Sequence, residues 1–138
     1  MVAAQRFISR RRGLFLAAVC VAALGLAVHF LLAGGFGSLF ADALYTVLAY
    51  LVLAWLFPGA ARHLVAWAAF AVSALIELAQ LTGLPAQLAV DFPPSRLILG
   101  TTFSAPDLLA YAAGALAIWL VDVLVSGKRP QLHAPQLE

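Results

Sequence analysis

Four charged side chains, Asp42, Glu77, Arg96 and Asp107, lie within or beside long apolar runs. An ionised carboxylate in hydrocarbon costs at least about 2.5–3.5 kcal/mol, so such a group must be paired, protonated or in contact with water. Arg96 is the nearest cation in the sequence, and a guanidinium is suited to bidentate binding of a carboxylate. These four residues therefore predict a polar site inside a membrane.

Helical spacing gives each of the three acids a hydrogen-bonding neighbour on its own helix face. The neighbours lie three or four residues apart: Ser73, Glu77 and Gln80 in one run, Asp42 and Tyr45 in another, and Asp107 and Tyr111 in a third. We predict a ligand-binding site that consists of Asp42, Glu77, Gln80, Arg96, Asp107 and Tyr111. Asp42 and Asp107 also fit a second interpretation, in which they only cap or flank helix N-termini.

Composition explains why charged residues are so informative in this chain. Of its 138 residues, 64% are hydrophobic and 10% are charged, whereas a soluble domain is about 45–50% apolar and about 25% charged. This excludes an ordinary soluble domain, and the high hydrophobicity excludes a disordered chain. The length allows one domain.

Four apolar stretches are long enough to cross a membrane, which takes about 20 helical residues. They are 13–33, 40–57, 63–84 and 106–126. We therefore predict an all-α, polytopic membrane protein with a transmembrane domain at 13–126, a basic N-terminus at 1–12 and a tail at 127–138. The run at 97–99 is too short to span, and it predicts an interfacial or re-entrant segment near 95–103. Glu77 lies seven residues, about 10 Å, before Leu84, where the third span is expected to end.

Lysine and arginine are distributed unevenly around these spans. The positive-inside rule places both termini and Arg62 in the cytoplasm, and it leaves Arg96 as the single basic residue on the outer side. Asp42, Glu77 and Asp107 then share the outer half with Arg96. We expect a multi-pass protein of the inner (cytoplasmic) membrane. The basic residues flank spans and form no phosphate-binding patch, so nucleic acid is not an expected partner.

Four segments together resemble a known family. They are Ala41-Asp42-Ala43-Leu44-Tyr45, the E-x-x-Q at Glu77 and Gln80, the R-x-x-x-G-x-x-F that begins at Arg96, and the D-L-x-x-Y-x-x-G that begins at Asp107. In this order they resemble the DUF2809 family of small bacterial membrane proteins, which is similar to the VanZ-like group, named for a teicoplanin-resistance protein. The resemblance covers roughly residues 13–125. It implies four or five spans around these polar residues, and it supplies no reaction.

Several functions fit this pattern. We expect an outward-facing polar pocket that binds a lipid headgroup, a lipid-linked envelope intermediate or an amphiphilic drug, with membrane lipids as partners. One alternative is an intramembrane enzyme with Glu77 as acid or base, although no serine or cysteine nucleophile is paired with a base. Others are an accessory subunit of a larger complex, a homo-oligomer that couples ions through Glu77 and Asp122, and a purely structural polar pair. Neither a metal nor a cofactor is expected, and Cys20 is the single cysteine.

Overall fold

A computed structural model of the protein describes residues 2–32 and 34–127, and their regular structure is helical. The helices are α1 (Val2–Leu31), α2 (Gly35–Leu56), α3 (Arg62–Gln80), α4 (Leu84–Asp91), α5 (Ser95–Leu99) and α6 (Ala105–Gly127). Four are long and apolar enough to cross a membrane, at Ile8–Leu31, Gly35–Leu56, Arg62–Gln80 and Ala105–Ser126. This confirms the predicted all-α class with four spans. The predicted tail, with Lys128 and Arg129, lies outside the described residues apart from Gly127.

The third long helix is shorter than its apolar run. α3 ends at Gln80, before the expected end at Leu84, and a turn follows it. Gly83 has φ +74°, a left-handed conformation that glycine adopts without steric cost. Glu77 is therefore three residues, about 4.5 Å, from the end of its helix, and not seven.

Two short helices fill the connection between α3 and α6. α4 starts directly after Gly83, with Pro85 in its first turn, where a proline costs no hydrogen bond. The sequence pattern missed this helix, because we expected the connection to begin as turns. α5 occupies part of the predicted short segment at 95–103. Gly100 ends α5 with φ +61°.

The long helices pack around α2. Within the described residues, α2 lies against α1, α3 and α6, α3 lies against α6, and the backbone of α1 comes close only to that of α2. Gly114 of α6 lies directly against the backbone carbonyl of Ala43 in α2, so closely that a Cβ atom would collide with it. A small residue is therefore required at this crossing, as is typical of membrane helix pairs.

The interior of this bundle combines an apolar cluster with buried polar side chains. The largest fully buried side chains are those of Tyr50, Glu77, Thr46 and Ser73. Thr46 donates a hydrogen bond to Ser73 at 3.0 Å, and Ser73 donates to the carbonyl of Ala69 at 3.0 Å. Hydrogen bonds between polar groups thus join α2 to α3, as they do between helices in membranes.

The up-and-down course of the long helices separates the charged residues into two groups. We call the end with Asp42, Glu77 and Asp107 the acidic end, and the end with Arg10, Arg62 and Asp122 the basic end.

Candidate functional site

Glu77 is the most deeply buried charged residue at the acidic end, with 1% of its surface exposed. One carboxylate oxygen accepts the backbone N–H of Ser104, and the other accepts the hydroxyl of Tyr111 at 2.9 Å. Ser104 directly precedes α6, so Glu77 satisfies a backbone donor that the helix itself leaves free. The carboxylate thereby fastens the start of α6 to α3.

The other two acids lie beside this contact. Asp107, in the first turn of α6, accepts the hydroxyl of Ser104 at 2.7 Å, and Asp42 of α2 lies within electrostatic range of both Asp107 and Glu77. The positive end of the α6 dipole stabilises negative charge at this place. Carboxyl groups from three helices thus lie at this end of the bundle, and two of them, Glu77 and Asp107, bond Ser104 at the start of α6.

α5 is held over the acidic end by two side chains. Gln80 donates from Nε2 to the carbonyl of Leu99 at 2.8 Å, and Tyr45 donates from its hydroxyl to the carbonyl of Ile98 at 2.9 Å. Gly100 permits this approach, since a Cβ atom there would lie 2.6 Å from Gln80 Nε2. Tyr45 also lies near Tyr111, with 6.4 Å between the ring centroids. The predicted residues Gln80 and Tyr111 therefore belong to the framework of the site.

Arg96 lies on α5 and its side chain is exposed. The ion pairs found within residues 2–32 and 34–127 involve other arginines, so the structure does not place Arg96 in the expected clamp with a carboxylate. Arg96 lies at the same end as the three acids, and the ion pairs of the described residues do not include it.

The basic end is organised around Asp122 of α6. Its Oδ2 accepts the hydroxyl of Tyr50 at 2.6 Å and lies 3.6 Å from Arg10 and 3.4 Å from Arg62. Arg10 also donates to the carbonyl of Pro58 at 3.0 Å. These contacts join α1, α2, α3 and α6.

Two features bear on chemistry at the acidic end. In the part of the chain that the structure describes, no group of three or more His, Cys, Asp or Glu residues is arranged to hold a metal ion. Ser104 is not among the residues predicted for the site, although it bonds both Glu77 and Asp107. The signal was the spacing Ser104-x-x-Asp107, which is that of a capping box.

The helices and buried contacts define a small multi-pass membrane protein whose interior includes hydrogen-bonded hydroxyl and carboxyl groups beside an apolar cluster. The chain belongs to the family described as "Protein of unknown function (DUF2809)", which it matches over residues 31–115. That range includes all six residues predicted for the site. No curated protein and no solved structure matches the chain.

Proposed function

We propose that the acidic end is an outward-facing site that binds the headgroup of an amphiphile: a membrane lipid, a lipid-linked envelope intermediate or an amphiphilic drug. The observation that carries this proposal is the convergence of Asp42, Glu77 and Asp107, with Arg96 exposed at the same end and outside the ion pairs of the described residues. Carboxyl groups bind an ammonium group, and a guanidinium binds a phosphate. A headgroup with an ammonium group and a phosphate would therefore match the carboxyl groups and the guanidinium together.

The residues divide between binding and support. Asp42 and Asp107 are only partly buried, and Arg96 is exposed, so these three are the residues that would touch a headgroup. Glu77 has hydrogen-bond partners on both of its oxygens and is almost fully buried. Glu77 and Tyr111 would therefore position α6, which favours binding over acid–base chemistry at Glu77.

The test is lipid binding by the purified protein, with phosphatidylethanolamine, phosphatidylglycerol and a polyprenyl phosphate as probes. We expect D42N/D107N to weaken binding of the ethanolamine lipid and R96Q to weaken binding of all three probes, each by about tenfold, which corresponds to about 1.4 kcal/mol. D91N is the matched control, because Asp91 is an exposed acid in the connection between α3 and α6, where Arg96 also lies. Equal affinities in the wild type and all three variants would refute the proposal.

We also infer that the protein resides in the inner membrane with both termini cytoplasmic, in the context of the cell envelope. Arg10, Arg11, Arg12 and Arg62 lie at or next to the basic end, and the positive-inside rule assigns that end to the cytoplasm. The resemblance to VanZ-like proteins supports an envelope role by analogy.

Orientation can be tested by cysteine labelling in a C20S background. D91C and A60C place thiols at exposed positions of the connections at opposite ends of the bundle. We expect a membrane-impermeant maleimide to label D91C in intact cells and A60C only after permeabilisation. The reverse pattern would overturn the proposed orientation.

A second candidate is an accessory subunit of a larger membrane complex. The observation in its favour is that the backbone of α1 comes close only to that of α2 among the described helices, and that Leu16, Val19 and Leu24 are about half exposed. A photoreactive residue at Leu16 should then crosslink to protein in native membranes, whereas one at Leu109 of α6 should crosslink only to lipid. Crosslinks to lipid alone at both positions would exclude this candidate.

A further inference from the structure

An apolar groove of about 420 Å³ runs between α3 and α6. Trp67, Phe70, Leu116 and Trp119 form its walls, and Ala112 and Ala115 form its floor. The groove exists because small side chains at the α6 positions leave space between the larger ones. It lies on membrane-spanning segments, so hydrocarbon is its natural surrounding.

The groove has one polar end. His63, the second residue of α3, is its only titratable lining residue and follows Arg62 directly. This places His63 at the basic end of the bundle, where the membrane surface is expected.

The acid nearest to this end is already compensated. Asp122 lies between Arg10 and Arg62 and accepts the hydroxyl of Tyr50. Arg11 and Arg12 follow Arg10 on α1. The described part of the basic end therefore has an excess of positive charge, and basic pockets between transmembrane helices are typical sites for anionic lipid headgroups.

We propose that the groove binds one acyl chain of a phospholipid with an anionic headgroup, and that the phosphate lies beside His63. Charge favours this occupant, since four arginines and one aspartate lie at or next to the described basic end, and Arg62 directly precedes His63 at the groove. The proposal goes beyond the headgroup site at the acidic end, because it concerns other residues, the opposite end and the opposite ligand charge. Either one can fail without the other.

Tryptophan quenching by brominated acyl chains tests this directly. Two of the three tryptophans line the groove, and the third, Trp55, lies elsewhere beneath Arg11. In a W55F background, we expect brominated phosphatidylglycerol to compete for the groove about fivefold better than brominated phosphatidylcholine. That ratio corresponds to about 1 kcal/mol, the attraction of one arginine such as Arg62 to an anionic membrane surface. Equal quenching by the two lipids would overturn the proposal.

Two pairs of variants assign the effect to the groove. H63E should abolish the preference for phosphatidylglycerol, whereas H29E, at the exposed histidine of α1, should preserve it. A112F should fill the groove and reduce quenching by both lipids, whereas A117F, at an exposed alanine of α6 outside the groove, should not. If A112F instead converted a dimer into a monomer in light scattering, the occupant would be a second copy, and the lipid proposal would be wrong.

Discussion

Tyr111 of α6 and Glu77 of α3 are joined by a 2.9 Å hydrogen bond from the phenol hydroxyl to Oε2 of the carboxylate. Both side chains are buried, and the second oxygen of Glu77 accepts the backbone N–H of Ser104. The carboxylate therefore has a partner on each oxygen, which is the condition under which a buried polar group is tolerated. This contact positions the start of α6, and with it Asp107, at the acidic end.

Removal of that hydroxyl should cost measurable stability. We expect Y111F to lower the free energy of unfolding by about 1 kcal/mol, a typical value for a hydrogen bond between membrane helices. Unfolding by SDS in mixed micelles, followed by circular dichroism, measures this. Y45F is the control and should cost less, because the bond from Tyr45 to the Ile98 carbonyl is exposed. A larger loss in Y45F would contradict the assigned role of Tyr111.

The crossing of α2 and α6 depends on a glycine. In G114A the new Cβ would collide with the backbone carbonyl of Ala43, which cannot move aside as a side chain can. We expect a loss of about 1–3 kcal/mol, the usual cost of overpacking. In G25A the Cβ would meet Leu44 Cβ at 3.9 Å, an ordinary contact, so that variant should be neutral or more stable. The same unfolding assay compares them, and equal losses would argue against the close crossing.

Periodicity and length were sufficient to predict the four spans and the polar faces. Runs of about 20 apolar residues have few alternatives to a membrane helix, and the spacing of Ser73, Glu77 and Gln80 assigns them to one face. The helix α4 was missed, because Gly83 and Pro85 indicate a chain break without indicating that a new helix begins there.

Contacts between distant residues could not be predicted from spacing. Asp122 lies 112 residues from Arg10 and 72 from Tyr50, and no local pattern relates them. From the sequence, Glu77 was expected to lie about 10 Å before the end of its span. The early end of α3 instead brings it to the N-terminus of α6, where it accepts a backbone N–H. The missing information was helix packing, which depends on close approaches such as that of Gly114 to Ala43.

In the cluster around Asp122, removal of the aspartate should cost more stability than removal of either arginine. D122A removes the acceptor of Tyr50 and leaves two guanidinium groups together, so we expect a loss of about 2–3 kcal/mol. R10Q and R62Q should each cost at most about 1 kcal/mol, since each arginine side chain is about one-third exposed, 32% and 33%, and the other arginine still neutralises Asp122. Unfolding of the single variants and of each arginine variant combined with D122A in the SDS assay measures the coupling energy between Asp122 and each arginine. A cost for R10Q equal to that of D122A would contradict this account.

The attachment of α5 to the bundle should depend on Gly100. With φ +61° and ψ −170°, Gly100 has a backbone conformation that is essentially restricted to glycine, and another residue there costs about 1–3 kcal/mol. The Cβ of G100A would also displace Gln80 from the Leu99 carbonyl. We therefore expect amide hydrogen exchange to rise about tenfold across Ser95–Leu99, while α2 and α6 stay protected. G59A is the control, because a Cβ there meets nothing within 4 Å, and it should leave exchange in α5 unchanged. Unchanged exchange in G100A would show that α5 is held by contacts other than those of Gln80.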